Sequence, residues 1–300
     1  MECHHRPSRF AERILSLSTR ISALVEQLDA LIASGDTENA WAQVDELLAL
    51  DAVLGWNARV TLCRVAGGRL TTADTLGHLG SALFAARRFE EAAEAWSEAG
   101  EIYEGNDSPS AASMWKSAGF AFGQSGDHEA SRDAYARCLG AFAEPDQPTH
   151  RYARLGVANS YLKQKTYDEA FTAAWWGLRL PWCDTPDASS WHAQAELWLA
   201  LGYASFHTRR YSLADYAFRA VAESSHDSAL NRDAAEALEA MRAGLAEHGL
   251  PPTPIVETSG RSFRVVWVGR EDSLIARVDA GVFLAAGQVL ALGETAEDPR

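Results

Sequence analysis

A 300-residue chain that is 47% hydrophobic and 23% charged has ordinary globular composition and enough apolar mass for a sizeable core. Its formal net charge of −14 disfavours nucleic acid and anionic membrane as partners, because both repel an acidic surface. Four scattered cysteines, Cys3, Cys63, Cys138 and Cys183, form no CxxC pair, which argues against a disulfide framework and for buried reduced thiols.

The start, MECHHRPSRFAERILSL, carries early charge and no long apolar run. It predicts neither a signal peptide nor a membrane span, and the expected location is cytoplasmic. Cys3, His4 and His5 are metal-ligating types, but without a distant fourth ligand they make a poor zinc site, and no metal or cofactor is expected. A long helix is predicted from about Phe10 to Ala33, with a break at Gly35 and Ala40 as the small residue of a second helix. The stretch VLGWNARVTLCRVAGG reads as an additional helix outside any repeat register. Residues 1–72 are therefore assigned to N-terminal helices that include a degenerate repeat.

Beyond them one pattern recurs four times. A small residue (Gly80, Gly119, Ala158, Gly202) is followed three positions on by Leu83, Phe122, Tyr161 or the exceptional Ser205. Next come Phe89, His128, Tyr167 or Tyr211, then a second small residue (Ala92, Ser131, Ala170, Ala214), then Trp96, Tyr135, Ala174 or Phe218. The spacing is 39, 39 and 44 residues. Apolar positions three and four apart are helical, and the breaks ARR, QSGD, KQKT and HTRR divide each unit into two helices. A lone helix pair cannot bury its apolar faces; stacking successive pairs can.

These positions resemble the tetratricopeptide repeat family, whose small residue in the first helix and alanine in the second are matched, with Trp115 and Trp198 early in first helices. Trp198 to Gly202, followed by Tyr211, Ala214 and Phe218, is the best unit. Two departures stand out: the period exceeds the family's ~34 residues, and Ala174 replaces a large side chain. The resemblance covers roughly Ala73 to Asp227 and implies a mainly α fold, an α-α superhelical solenoid. The solenoid is assigned to 73–249, closed by a more polar helix that ends at Gly249. Residues 250–260 read as a Pro-rich linker, 261–293 as a small β segment (SFRVVWVG, SLIARVD, VFLAAG, QVLALG) and 294–300 as a tail. That β segment is too small to stand alone, so it is expected to dock on the helices or to pair in a homodimer.

No phosphate loop, G-x-S-x-G elbow or H-E-x-x-H motif is present. Cys183 and His192 lack the arrangement of a nucleophile and base, and GQVLAL, faintly like a biotinyl or lipoyl carrier hairpin, has no lysine to modify. The expectation is a non-enzymatic protein. The resemblance implies that first helices line a concave face, where the candidate peptide-binding residues are Phe84, Lys116, Phe120, Gln124, Tyr152, Asn159, Lys163, Tyr203, Phe206 and His207. Large apolar groups at such positions predict either aromatic pockets for an extended or helical peptide, or cover by neighbouring repeats and termini. In AAWWGLRLPWCD, Trp175 and Trp176 read as lying between buried positions, on an outer flank. With Trp182 they predict a local mini-core completed by Trp191, or an exposed interaction patch. The functional expectation is an adaptor that binds a protein or peptide; a peptide-responsive regulator and a secretion-type chaperone are the alternatives.

Overall fold

The computed structural model describes residues 9–66, 69–141, 147–178, 188–223, 228–248, 255–259 and 262–266. They form α1 (Arg9–Ser34), α2 (Thr37–Leu50), α3 (Ala52–Ala66), α4 (Arg69–Ala85), α5 (Phe89–Tyr103) and α6 (Ser108–Ser125) in one compact unit. A second unit contains α7 (His128–Gly140), α8 (Gln147–Lys163), α9 (Tyr167–Leu178), α10 (Ala188–His207), α11 (Tyr211–Ala222), α12 (Ser228–Glu247), β1 (Ile255–Ser259) and β2 (Ser262–Val266). Within each unit every helix packs on the next in the chain; α10 also meets α8 and α12. No helix among the described residues is long and apolar enough to cross a membrane.

Four of the turns between helices share one closure. Gly35, Arg87, Lys165 and Arg209 take left-handed backbone angles, with φ of 78°, 61°, 61° and 63°. The next residue's N–H then reaches five residues back: Asp36 to Leu31, Arg88 to Leu83, Thr166 to Tyr161 and Arg210 to Ser205, at 2.7–3.0 Å. This Schellman-type closure satisfies carbonyls that a helix end leaves open and reverses the chain within three residues. Where the following residue is Asp36, its side chain also accepts the Asn39 N–H, capping the next helix. Asp127, which follows Gly126 (φ 92°), accepts the Ala130 N–H in the same way.

The small residues permit the helix contacts. A Cβ on Gly80 would lie 2.7 Å from the Trp96 ring, whose Nε1 donates to the Gly77 carbonyl at 3.0 Å. A Cβ on Gly202 would lie 2.6 Å from Phe218, and one on Gly100 2.7 Å from Trp115. Tyr135 of α7 closes in the same manner on Gly156 of α8. Ala92, Ser131, Ala170 and Ala214 are all buried, as are Trp96, Tyr135, Ala174 and Phe218. The helix without a register, α3, packs on both α2 and α4. Gly55 brings its backbone onto Leu48, and the Cys63 thiol lies 3.4 Å from the Thr75 hydroxyl. Cys63 and Cys138 are both buried.

Trp175 corrects the expectation of an outer flank. It is 2% exposed and stacks on Phe171, ring centroids 5.9 Å apart. Phe171, Ala174, Trp175 and Leu178 are spaced i, i+3, i+4, i+7, and α9 is packed by α8 on one side and α10 on the other, so its apolar arc is wide. Trp175 is therefore core and cannot belong to a surface patch. Trp176 is half-buried, and Trp182 lies outside the described residues.

At the C-terminus, β1 and β2 pair antiparallel, Ile255 opposite Val266 and Ser259 opposite Ser262. The first strand occupies residues read as linker, because Ile255, Val256 and Thr258 are β-branched and favour an extended ladder once the prolines end. The rest of the predicted β segment and the tail lie outside the described residues.

Candidate functional site

The second unit carries two adjoining hollows built around one face of α10. Leu199, Tyr203 and His207 recur every four residues, so they form a ridge along that face, and all three line both hollows. On one side the hollow is about 420 Å³ and is completed by Asn159, Leu162 and Lys163 of α8, Lys165 of the turn, Tyr167 of α9, and Glu196 and Ala200 of α10. On the other side a hollow of about 650 Å³ is completed by Phe206, by Phe218 of α11, and by Asp233, Glu236, Ala237, Ala240 and Met241 of α12.

Aromatic contacts fix the ridge. Tyr203 stands 37% exposed, its ring edge-on to Phe218 with centroids 5.1 Å apart. His207 stacks on Tyr167 at 4.0 Å with planes 10° apart, and Phe206 meets His207 edge-on at 5.3 Å. The fields on the two sides differ in sign. Burial, then the carboxylates of Asp233 and Glu236, push the Tyr203 hydroxyl above its ordinary pKa of 10.0. Burial, then the Lys165 ammonium, hold His207 below 6.5.

Of the ten candidate groove residues, this site brings together Asn159, Lys163, Tyr203, Phe206 and His207. Phe206 is half-buried among Phe218, Met241 and Leu245, so α12 covers much of it. Tyr152 is half-buried against the core that holds Trp198 and Leu201 rather than open to a groove. The other four belong to the first unit. There Phe84 is enclosed by Phe89, Trp96 and Phe120 at 5.0, 5.8 and 5.5 Å, while Phe120 itself is 51% exposed. Lys116 is half-buried and Gln124 exposed. Lys165, Tyr167 and Leu199 and the acidic pair on α12 were absent from the candidate list. The four-residue spacing from Leu199 would have found the first helix's ridge, whereas Asp233 and Glu236 read as the wet side of a terminal helix.

What decides the repeat type is the pairing of a glycine in one helix with an aromatic ring in the next, at Gly80 with Trp96 and Gly202 with Phe218, closed by a left-handed turn. The repeat is tetratricopeptide-like. By sequence, no family model and no curated protein matches the chain. Among solved structures it is similar to BtubC (BKLC) from P. vanneervenii, with 16% identity, TM-score 0.47, and coverage of 81% of this chain and 97% of that one. It is also similar to a Podosopora anserina putative kinesin light chain with nearly identical TPR-like repeats, at 15% identity and TM-score 0.41, covering 76% and 96%. A third is a Rap protein complexed with Competence and Sporulation Factor, at 14% identity and TM-score 0.41, covering 77% and 72%.

Proposed function

We propose that the chain is a non-catalytic binding protein that holds a polypeptide segment along the α10 ridge of its second unit. The observation that carries this reading is Tyr203, a large ring left 37% exposed between two hollows of about 420 and 650 Å³. A surface with no partner favours charge at such a place, and aromatic rings that already have fixed packing on one side make strong anchors for a partner. Both volumes fall in the range of sites that take side chains or small ligands. Asn159 and Lys163 supply polar groups beside the apolar floor, suited to peptide carbonyls or a carboxylate. Phe120 of the first unit is proposed as a separate apolar contact. The β hairpin, whose second strand lies against α11, is proposed to dock in cis rather than to join two copies.

The test is selection of a random-sequence peptide display library on the full chain. Enriched peptides are expected to bind the Tyr203→Ala variant at least about tenfold more weakly, a loss of about 1.4 kcal/mol, with helicity by circular dichroism unchanged. Enriched peptides that bind Tyr203→Ala as well as the parent protein, or a library from which nothing is enriched, would overturn the reading.

A further inference from the structure

The two hollows share a floor but not a charge. At the rim of the first, two ammonium groups, Lys163 and Lys165, are exposed at the end of α8 and in the turn that follows it. Neither has an ion-pair partner among the described residues. Lysine is otherwise confined to Lys116, so two of the three lysines in the whole sequence stand at this rim. One carboxylate, Glu196, lines the same hollow; it lies 3.5 Å from His192, one turn back on α10. At the rim of the second hollow stand Asp233 and Glu236, both exposed and three residues apart on one face of α12. Arg232 approaches Asp233 only to 3.9 Å, between two exposed side chains, and leaves that carboxylate open to solvent.

The opposing signs reach the ridge between them. Lys165 acts on His207 from one side, and Asp233 and Glu236 act on the Tyr203 hydroxyl from the other. A segment laid across α10 therefore passes from a positive rim, over an aromatic floor, to a negative rim. Complementary charge at each end fixes the register and direction of such a segment, while like charge at either end opposes it.

Resting on the binding reading above, we infer that the polypeptide held here is charge-polarised. It carries acidic side chains at the Lys163–Lys165 end, a large apolar side chain over Tyr203, and basic side chains at the Asp233–Glu236 end. The same arrangement rejects segments with one sign throughout. This matters for a chain of net charge −14, which would otherwise attract any cationic peptide.

Three synthetic peptides with one apolar centre test the inference against the full chain by fluorescence anisotropy: one with Glu at one end and Lys at the other, one with Glu at both ends, one with Lys at both. The mixed peptide is expected to bind about tenfold more tightly than either uniform peptide. In the double variant Lys163→Glu, Lys165→Glu the preference is expected to pass to the Lys-ended peptide. In Asp233→Lys, Glu236→Lys it is expected to pass to the Glu-ended one. All four positions are exposed, so both variants keep the fold. Equal binding of all three peptides would overturn the polarity and leave the groove standing. So would a Lys-ended peptide that wins on the parent protein and on every variant, since that is general attraction to an acidic chain. No binding by any of the three would overturn the polarity and the groove together.

Discussion

Asp215 on α11 and Arg242 on α12 meet at 2.7 Å, with Asp215 only 1% exposed. Arg219, one turn further along α11, closes on the second carboxylate oxygen. The pair ties the last helix to the stack, and the carboxylate has given up its water to do so. Both guanidinium groups keep part of their surface in solvent, so removing the carboxylate leaves them able to rehydrate. Removing Arg242 instead strips a buried anion of half its compensation. Arg242→Ala is therefore expected to cost about 3 kcal/mol, the lower edge of what breaking a buried pair costs, read as a lowered urea midpoint. A midpoint within error of the parent's would show that Arg219 alone satisfies Asp215.

Two glycines in this part of the chain are expected to respond in opposite directions. A Cβ at Gly202 would stand 2.6 Å from the Phe218 ring, which is held by the core, whereas a Cβ at Gly244 of α12 meets nothing within 4 Å. Gly202→Ala is expected to destabilise by about 1–3 kcal/mol through overpacking. Gly244→Ala is expected to stabilise by about 0.5–1 kcal/mol, because alanine loses less backbone freedom in a helix. Thermal unfolding of the two variants checks the sign of each shift.

The left-handed turn residues give a third contrast. Arg209, at φ 63°, holds a conformation in which its Cβ crowds the carbonyl, while Gly126, at φ 92°, holds a similar one without strain. Arg209→Gly is expected to gain about 0.5–1 kcal/mol, the relief of that crowding less the added freedom of the unfolded chain. Gly126→Ala is expected to lose about 1 kcal/mol. Equal and small effects at both positions would mean that the turns do not keep this geometry in solution.

His207 sets a pH dependence. Burial, then Lys165, keep its folded pKa below 6.5, so as pH falls the unfolded chain takes up the proton first. Its contribution to stability is complete above about 6.5 and is lost as pH drops through the folded value. His207→Phe preserves a ring on Tyr167 and removes the proton. The unfolding midpoint of this variant is expected to fall less steeply than the parent's between about pH 7 and 5. Parallel curves would place the parent's acid sensitivity at other groups.

The ladder of small and large residues was legible because it records a steric demand that repeats. Wherever one helix must approach another, Ala92, Ala170 or Ala214 recurs, and all three are buried. Trp175 departs from its expected outer flank because the repeat pattern marks a single stripe, whereas a helix packed on two sides buries a wider arc. Helix α3 reads from sequence as lying outside the repeat register, so no spacing foretold its packing on α2 and α4, where Gly55 makes room beside Leu48 and Cys63 meets Thr75. The site was half legible. Tyr203, Phe206 and His207 follow from their position on a first helix, but the negative rim is on α12, whose Asp233 and Glu236 look from sequence like any solvated face. Which polar side of a terminal helix overlooks a hollow depends on how that helix lies against its neighbour, and nothing in local spacing encodes that.

Because within each unit each helix finds its partner in the next stretch of chain, the loops that must close there are short and cost little entropy. Such a molecule need not wait for its far end. Each new hairpin can be laid on the last while the remainder is still emerging from the ribosome, so little apolar surface stays uncovered at any moment of synthesis.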